Sequence, residues 1–325
     1  MRTLKVLKRW VGPGIGILLV AYLLWRMPWT ATLAALGQVR LRWWLPAMAL
    51  GAVGVWLRAL RLHWVLGSQG PMLGVWRSVA LGYLAGLFLP AGGGELVKVR
   101  TLVKARGLDT MHAFSGAALD RLLDLLGLVL GLALLGSLQT LPGQVGTLLR
   151  VMSLGLLLAA LFLVLSFAKG KGLLTRLSGS LPNRPWLTRL LKRMGEVLEE
   201  AEHLRTKQTW IRLLLLQVFI TSFEVLVTGI ALQSLPLTVP LPPWAGLQVL
   251  MFNSIGFALP LLPGGAGALQ VAYLFALRPW GVSIPQALAF SLLAQAGHIL
   301  VVIGHGGLAL FLGAEARRTA DAELP

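Results

Sequence analysis

The sequence predicts an all-α polytopic membrane protein with six full spans, two re-entrant broken helices and an inverted internal repeat. Three observations lead there. Hydrophobic residues make up 56% of the 325 and charged residues 13%, the balance of a chain dissolved in lipid rather than water. Apolar runs with few charges recur at about 20 residues, the length a helix needs to cross hydrocarbon. Two Gly/Pro-rich breaks, Leu89-Pro90-Ala91-Gly92-Gly93-Gly94 and Leu262-Pro263-Gly264-Gly265-Ala266-Gly267, interrupt shorter apolar runs. At membrane depth such a break frees backbone groups that hydrocarbon cannot satisfy, so it belongs inside protein or beside a watery cavity.

The elements follow in order along a single membrane domain, residues 1–325. Arg2, Lys5, Lys8 and Arg9 precede a first span at Trp10 to Pro28, which lacks a small-residue cleavage site and is read as retained. The second span runs from Trp43 to Leu62, with Trp43, Trp44 and Trp64 at interfacial positions and Arg58, Arg61 and Arg77 marking its cytoplasmic end. Ser78 to Pro90 is too short to cross and is read as the first re-entrant element. Met111 to Gln139 and Leu148 to Ala168 span next, joined by the turn Leu141-Pro142-Gly143. Residues 169–210 form a polar loop in which Leu187, Leu190, Leu191, Met194, Val197, Leu198 and Leu204 recur at helical spacing. That helix either lies on the cytoplasmic membrane surface or packs as a solvated linker on neighbouring loops. Ile211 to Leu235 spans again; Trp244 to Leu259 and Ala268 to Leu277 flank the second break, and Ala287 to Gly313 is the last span.

Charge sets the orientation. Of 29 Lys and Arg, Arg26, Arg40, Arg42, Arg150 and Arg278 fall on the far side and Arg121 falls within the membrane; the others share the side of the N-terminus. Basic residues collect in cytoplasmic loops, so both termini are expected in the cytoplasm of a cell (inner) membrane protein. The net charge of +17 is spread over short loops beside anionic lipid, a pattern that does not call for nucleic acid. The absence of cysteine excludes disulfides, thiolate metal sites and cysteine nucleophiles. His298 and His305 share a helix face without further placed ligands, and no metal or other cofactor is expected.

The two breaks align with each other, and so do Gly107-Leu108-Asp109-Thr110-Met111-His112-Ala113 and Gly281-Val282-Ser283-Ile284-Pro285-Gln286-Ala287. With that offset Arg121 falls on Gln295 and Asp124 on His298. The copies span residues 43–139 and 211–313, and entry from opposite faces gives them inverted topology, which points to a substrate site near the midplane. Pro90, Gly94-Glu95, the basic run and then Asp120-Arg121 with Asp124 resemble the lysylphosphatidylglycerol synthase transmembrane-region family, also described as flippase-like integral membrane proteins. Pro263-Gly264-Gly265-Ala266-Gly267 resembles that family's second motif. The resemblance covers about Trp43 to Gly313 and implies a bundle that moves or presents lipids, fused in some relatives to a soluble aminoacyl-transfer domain. This sequence ends at Pro325 without that domain, so transferase activity is not expected. Gln270 stands where the family usually has an acid, and Gln295 and His298 where it often has an arginine, which leaves the second half poorer in charge.

Eight residues make up the expected substrate-binding set: Glu95, Lys98, Arg100, Asp120, Arg121, Asp124, Glu224 and Gln270. Pro90, Gly92, Gly93, Gly94, Pro263, Gly264, Gly265 and Gly267 make the breaks. Asp120 and Asp124 share a helix face, and Arg121 is placed to pair with Asp124. The triplet lies either within the membrane or, if the span starts only at Leu122, at its interface. Glu95 either anchors the first break, meeting Arg121 across a cavity, or caps the helix that begins there. Lys98, Arg100, Lys104 and Arg106 either collect phosphate head groups or only satisfy topology. Glu224 is expected to pair with an arginine or to sit protonated in an apolar setting. The leading expectation is a transporter of a phospholipid or a polyprenyl-phosphate-linked substrate. A membrane enzyme acting on the same lipids and a scaffold for a separate transferase are the alternatives. No GxxxxGK[ST] loop supplies ATP.

Overall fold

A computed structural model describes residues 25, 27–68, 70–89, 92–138, 155, 206–237, 239–258 and 265–322. Its helices are α1 (Trp29–Leu36), α2 (Leu41–Val65), α3 (Met72–Phe88), α4 (Gly93–Arg106), α5 (Thr110–Leu138), α6 (Lys207–Leu232), α7 (Ala245–Ala258), α8 (Ala268–Leu277) and α9 (Ile284–Ala322), with one 3-10 turn at Arg278–Trp280. Among the described residues all regular structure is helical. Four segments, Leu41–Val65, Thr110–Leu138, Gln208–Leu232 and Ile284–Ala314, are long and apolar enough to cross a membrane. Almost all of the expected spans at 10–28 and 148–168, the turn at 141–143, the loop helix over 169–205, and Pro90, Ala91, Pro263 and Gly264 lie outside the described residues.

Where the expected helices fall on described residues, they are present with shifted ends. The first short element starts not at Ser78 but at Met72, takes in Arg77, and runs seventeen residues to Phe88. Ser78 needs no outside partner there, since its Oγ donates to the Val75 carbonyl at 2.6 Å. The last helix runs past Gly313 to Ala322.

Local chemistry explains the boundaries. α2 stops where Ser68 N–H donates to His63 O and Gly67 N–H to Trp64 O, with Gly67 at φ +73°, a Schellman closure that needs a left-handed residue at its turn. α5 starts at Asp109, whose Oδ2 accepts from Met111 N–H at 2.7 Å. α9 starts at Ser283, with Gln286 in the reciprocal position of a capping box. The element order of helix, break, helix, turn and long helix therefore occurs twice. Aligned glycines share backbone geometry: Gly92 and Gly265 at φ +84° and +72°, Gly107 and Gly281 at +63° and +77°. These left-handed positions favour glycine.

The described chain packs as two units, Met1–Val55 with Val79–Val97 and Phe223–Pro325, and Trp56–Ser78 with Lys98–Ser222. In the first, α8 lies against α7 and α9, and α1 against α9. Leu269, Tyr273, Leu277, Val249 and Phe290 fill the centre, Tyr273 and Phe290 edge to face at 5.5 Å. The second unit centres on Leu62, Leu66, Trp76, Leu102 and Leu213, with Trp56 and Trp76 stacked at 4.8 Å. On the spanning helices Leu134, Leu215, Phe219, Leu226 and Phe311 are exposed, as side chains that meet lipid tails should be.

In the first unit, helix crossings depend on missing side chains. A Cβ on Gly94 would lie 2.5 Å from the Gly82 carbonyl oxygen, whereas one on Gly86 would meet nothing within 4 Å. Backbone cannot move aside as a flexible side chain can. Gly94→Ala is expected to cost about 1–3 kcal/mol by overpacking and to lower the thermal midpoint in detergent, and Gly86→Ala to leave it unchanged.

Candidate functional site: a buried charge network

Within the second unit α5 carries one working face. Gly116, Asp120, Asp124 and Gly127 follow at helical spacing, so they form one stripe. The glycines at its ends bring partner helices close. A Cβ on Gly116 would lie 2.4 Å from Leu66 of α2, and one on Gly127 would lie 2.2 Å from the Gln217 amide of α6. The two aspartates between them receive the cations.

Arg61 of α2 is the centre. Its side chain is 0% exposed, and its Nε donates to Asp120 Oδ1 at 2.8 Å. Its Nη2 lies 2.7 Å from Asp120 Oδ1 and 2.8 Å from Asp124 Oδ1, and donates to the Asp120 backbone carbonyl at 3.2 Å. Nη1 donates to Gln217 Oε1, whose amide donates onward to Thr221 Oγ1 at 3.1 Å. Lys98 of α4, also buried, reaches Asp120 Oδ2 at 3.3 Å. Arg58 donates to Asp124 Oδ1 at 2.7 Å, and Arg121 to Asp124 Oδ2 at 3.4 Å.

Exposure divides this network. Arg61 and Lys98 are enclosed with Asp120, while Arg58, Asp124 and Arg121 are 24%, 21% and 51% exposed and form an open edge. A charge removed from water has to be paired and hydrogen-bonded, and the guanidinium fork achieves this at Asp120 through side-chain and backbone oxygens together. At the open edge, Asp124 accepts from Arg58 and Arg121 while its Oδ1 also faces the enclosed Arg61.

Residues 9–306 match the family model described as the lysylphosphatidylglycerol synthase TM region. The chain belongs to this lysylphosphatidylglycerol synthase transmembrane-region family. Its membership and its apolar helices make it a membrane protein with a lipid-related function. No curated protein and no solved structure matched the chain.

The structure of this transmembrane-region family member gathers three of the expected residues around Arg61: Lys98, Asp120 and Asp124. The i,i+3 pair of Arg121 with Asp124 is present, but Arg121 faces outward, and the enclosed cation is Arg61. Arg100 is exposed on α4. Glu95 lies in the first turn of α4, in the first unit, where a carboxylate favours the helix N-terminus. Glu224, also in the first unit, is half-buried, and its carbonyl accepts from Thr228. Gln270 Oε1 accepts from Gly267 N–H at 2.7 Å and its amide donates to Gln295 Oε1 at 2.7 Å, so it braces the second break. Gly92 and Gly267 turn their breaks with left-handed backbone, and Gly93 and Gly94 admit close neighbours.

Arg58, Arg61 and Gln217 were not among the expected site residues. The sequence places both arginines at a span's cytoplasmic end, where topology already accounts for them. One signal was available: they lie three apart, on one face of a spanning helix, as Asp120 and Asp124, four apart, share a face of another.

Asp120→Asn leaves Arg61 and Lys98 short of a carboxylate inside protein. It is expected to cost about 3–5 kcal/mol, seen as a large fall in thermal midpoint in detergent. Arg121→Ala, at the half-exposed edge, is expected to change stability by about 1 kcal/mol or less.

Proposed function

We propose that this protein is a flippase-like transporter of an anionic phospholipid or a polyprenyl-phosphate-linked substrate, and not an aminoacyl-transferase. One observation carries the reading: a closed ion network on membrane-spanning helices with a partly open edge of guanidinium groups at Arg58 and Arg121. A phosphate offers the same paired oxygens as Asp124 and competes for the same fork. The enclosed Arg61–Asp120 pair holds the helices while the edge exchanges partners, and acyl chains remain in lipid.

The proposed architecture has six spans and an inverted repeat in the cell inner membrane, with both termini in the cytoplasm. Charge asymmetry supports the orientation. Recurrence of helix, break, helix and long helix, with matching left-handed glycines, supports the repeat. Asp109 and Ser283 are equivalent, exposed and at helix starts in the two copies. In the cysteine-free chain, single cysteines at these positions are expected to label from opposite faces of the membrane. Labelling of both from one face would rule out the inverted arrangement.

Transport is tested in proteoliposomes containing only this protein and fluorescent lipids of matched acyl chains. Anionic head groups are expected to cross faster than lysine-bearing ones. Arg58→Gln is expected to slow anionic lipid by about tenfold or more, the loss of one charge-assisted bond, without unfolding the protein. Equal rates for protein-free and wild-type vesicles would leave a scaffold or enzyme role as the better reading.

A further inference from the structure

A second basic cluster lies in the same unit, away from the network. Arg106 closes α4, eight residues after Lys98 and so about 12 Å further along the helix. Its Nε, Nη1 and Nη2 are all shielded from solvent, and none has a hydrogen-bond partner among the described residues. The residue as a whole is only half-buried, so its remaining exposure lies on carbon and backbone rather than on the nitrogens. Burial alone pushes this guanidinium below its ordinary pKa, the sign of a cation that no neighbouring acid relieves.

Its surroundings are basic or neutral. His63 of α2 lies within electrostatic reach of Arg106, and the His63 Nδ1 is likewise buried without a partner. The α2 terminus does not use Arg106 as a cap, because Ser68, Gly67 and Leu66 amides already take the carbonyls of His63, Trp64 and Leu62. The guanidinium instead lies against the Gly70 backbone, where a Cβ would be 3.0 Å from Nε and 3.2 Å from Nη2. Its stem packs on Gly74 in the first turn of α3, where helix-end N–H groups add positive potential. Arg77, one turn further on α3, also has a buried Nε without a partner. The guanidinium and the helix N-terminus both present positive potential, and the His63 ring nitrogen lacks a partner, so an anion between them would satisfy groups that the chain leaves unsatisfied.

We propose that Arg106, with His63, the Gly70 turn and the start of α3, forms a second binding site, for a phosphate-class oxyanion, separate from the Arg61–Asp120 network. Gly70, at φ +71°, lets its backbone approach the guanidinium without a Cβ between. The shared chemistry is a phosphate whose source is either a lipid head group or a soluble phosphate.

The test uses the full-length protein in nanodiscs of a phosphate-free glycolipid, with the thermal midpoint read alone, with inorganic phosphate, and with phosphatidylglycerol replacing part of the glycolipid. Wild type is expected to be stabilised by at least one addition, and Lys104→Gln, which removes an exposed charge from the same helix, to respond like wild type. Arg106→Gln is expected to be as stable as wild type or more so without phosphate, since it removes an unpaired buried charge, and to lose the response. A response to inorganic phosphate assigns a soluble anion, and one to phosphatidylglycerol alone assigns a lipid head group. If Arg106→Gln does not fold, Arg106→Lys decides: it keeps the charge but not the fork and should need about tenfold more phosphate for the same shift. No response in wild type, an equal response in Arg106→Gln, or an unaltered phosphate requirement in Arg106→Lys would overturn the site. The readout is binding, so it is independent of lipid translocation.

Discussion

A single guanidinium enclosed by protein dictates how the second unit is assembled. Arg61 has no solvent contact, so every donor it carries has to meet an acceptor from the chain. Those acceptors come from α5 and α6: the Asp120 carboxylate and carbonyl, Asp124, and Gln217. The partners lie 59 and 156 positions away in sequence, so the charge can be neutralised only when three helices are in register. Gly116 and Gly127 make that register possible by letting neighbours reach the α5 face on either side of the aspartates. The hydrophobic effect contributes little between helices surrounded by lipid, where close packing and polar bonds have to specify the arrangement.

The same constraint explains why the network is graded rather than uniform. Asp120, facing Arg61 and Lys98, is held on several sides and is suited to a structural role. Asp124 shares its oxygens among Arg58, Arg61 and Arg121, two of which reach the open edge. Interactions inside are strengthened by low dielectric, and those at the edge are weakened by water and salt.

The two breaks use similar backbone turns for different side-chain chemistry. Glycines of positive φ turn the chain at both, and Asp109 and Ser283 start the long helices that follow. At the second break, however, neutral carboxamides meet: Gln270 bridges Gly267 and Gln295. A neutral pair closes the break without a counter-ion and makes no demand on distant helices, whereas the charged face of α5 recruits α2, α4 and α6. Where an acid and an arginine were expected, the second break thus carries a local brace of carboxamides.

Composition, hydrophobic runs and the Gly/Pro breaks sufficed for the all-helical membrane class and for the helices among the described residues, because these follow from local backbone preference and the thickness of hydrocarbon. Asp120, Asp124 and Lys98 were legible as site residues because charge in a spanning or broken element is conspicuous. Which cation would be enclosed was not legible. Arg121 adjoins the aspartates in sequence but projects from the helix on the outer side, at 51% exposure. Arg61 reads as one more loop-flanking arginine until α2 is laid against α5. Helical periodicity tells which residues share a face; it does not tell which helix that face will meet. The enclosure of Arg61, and the isolation of Arg106 beside His63 and Gly70, are properties of that meeting, so only the tertiary structure decided them.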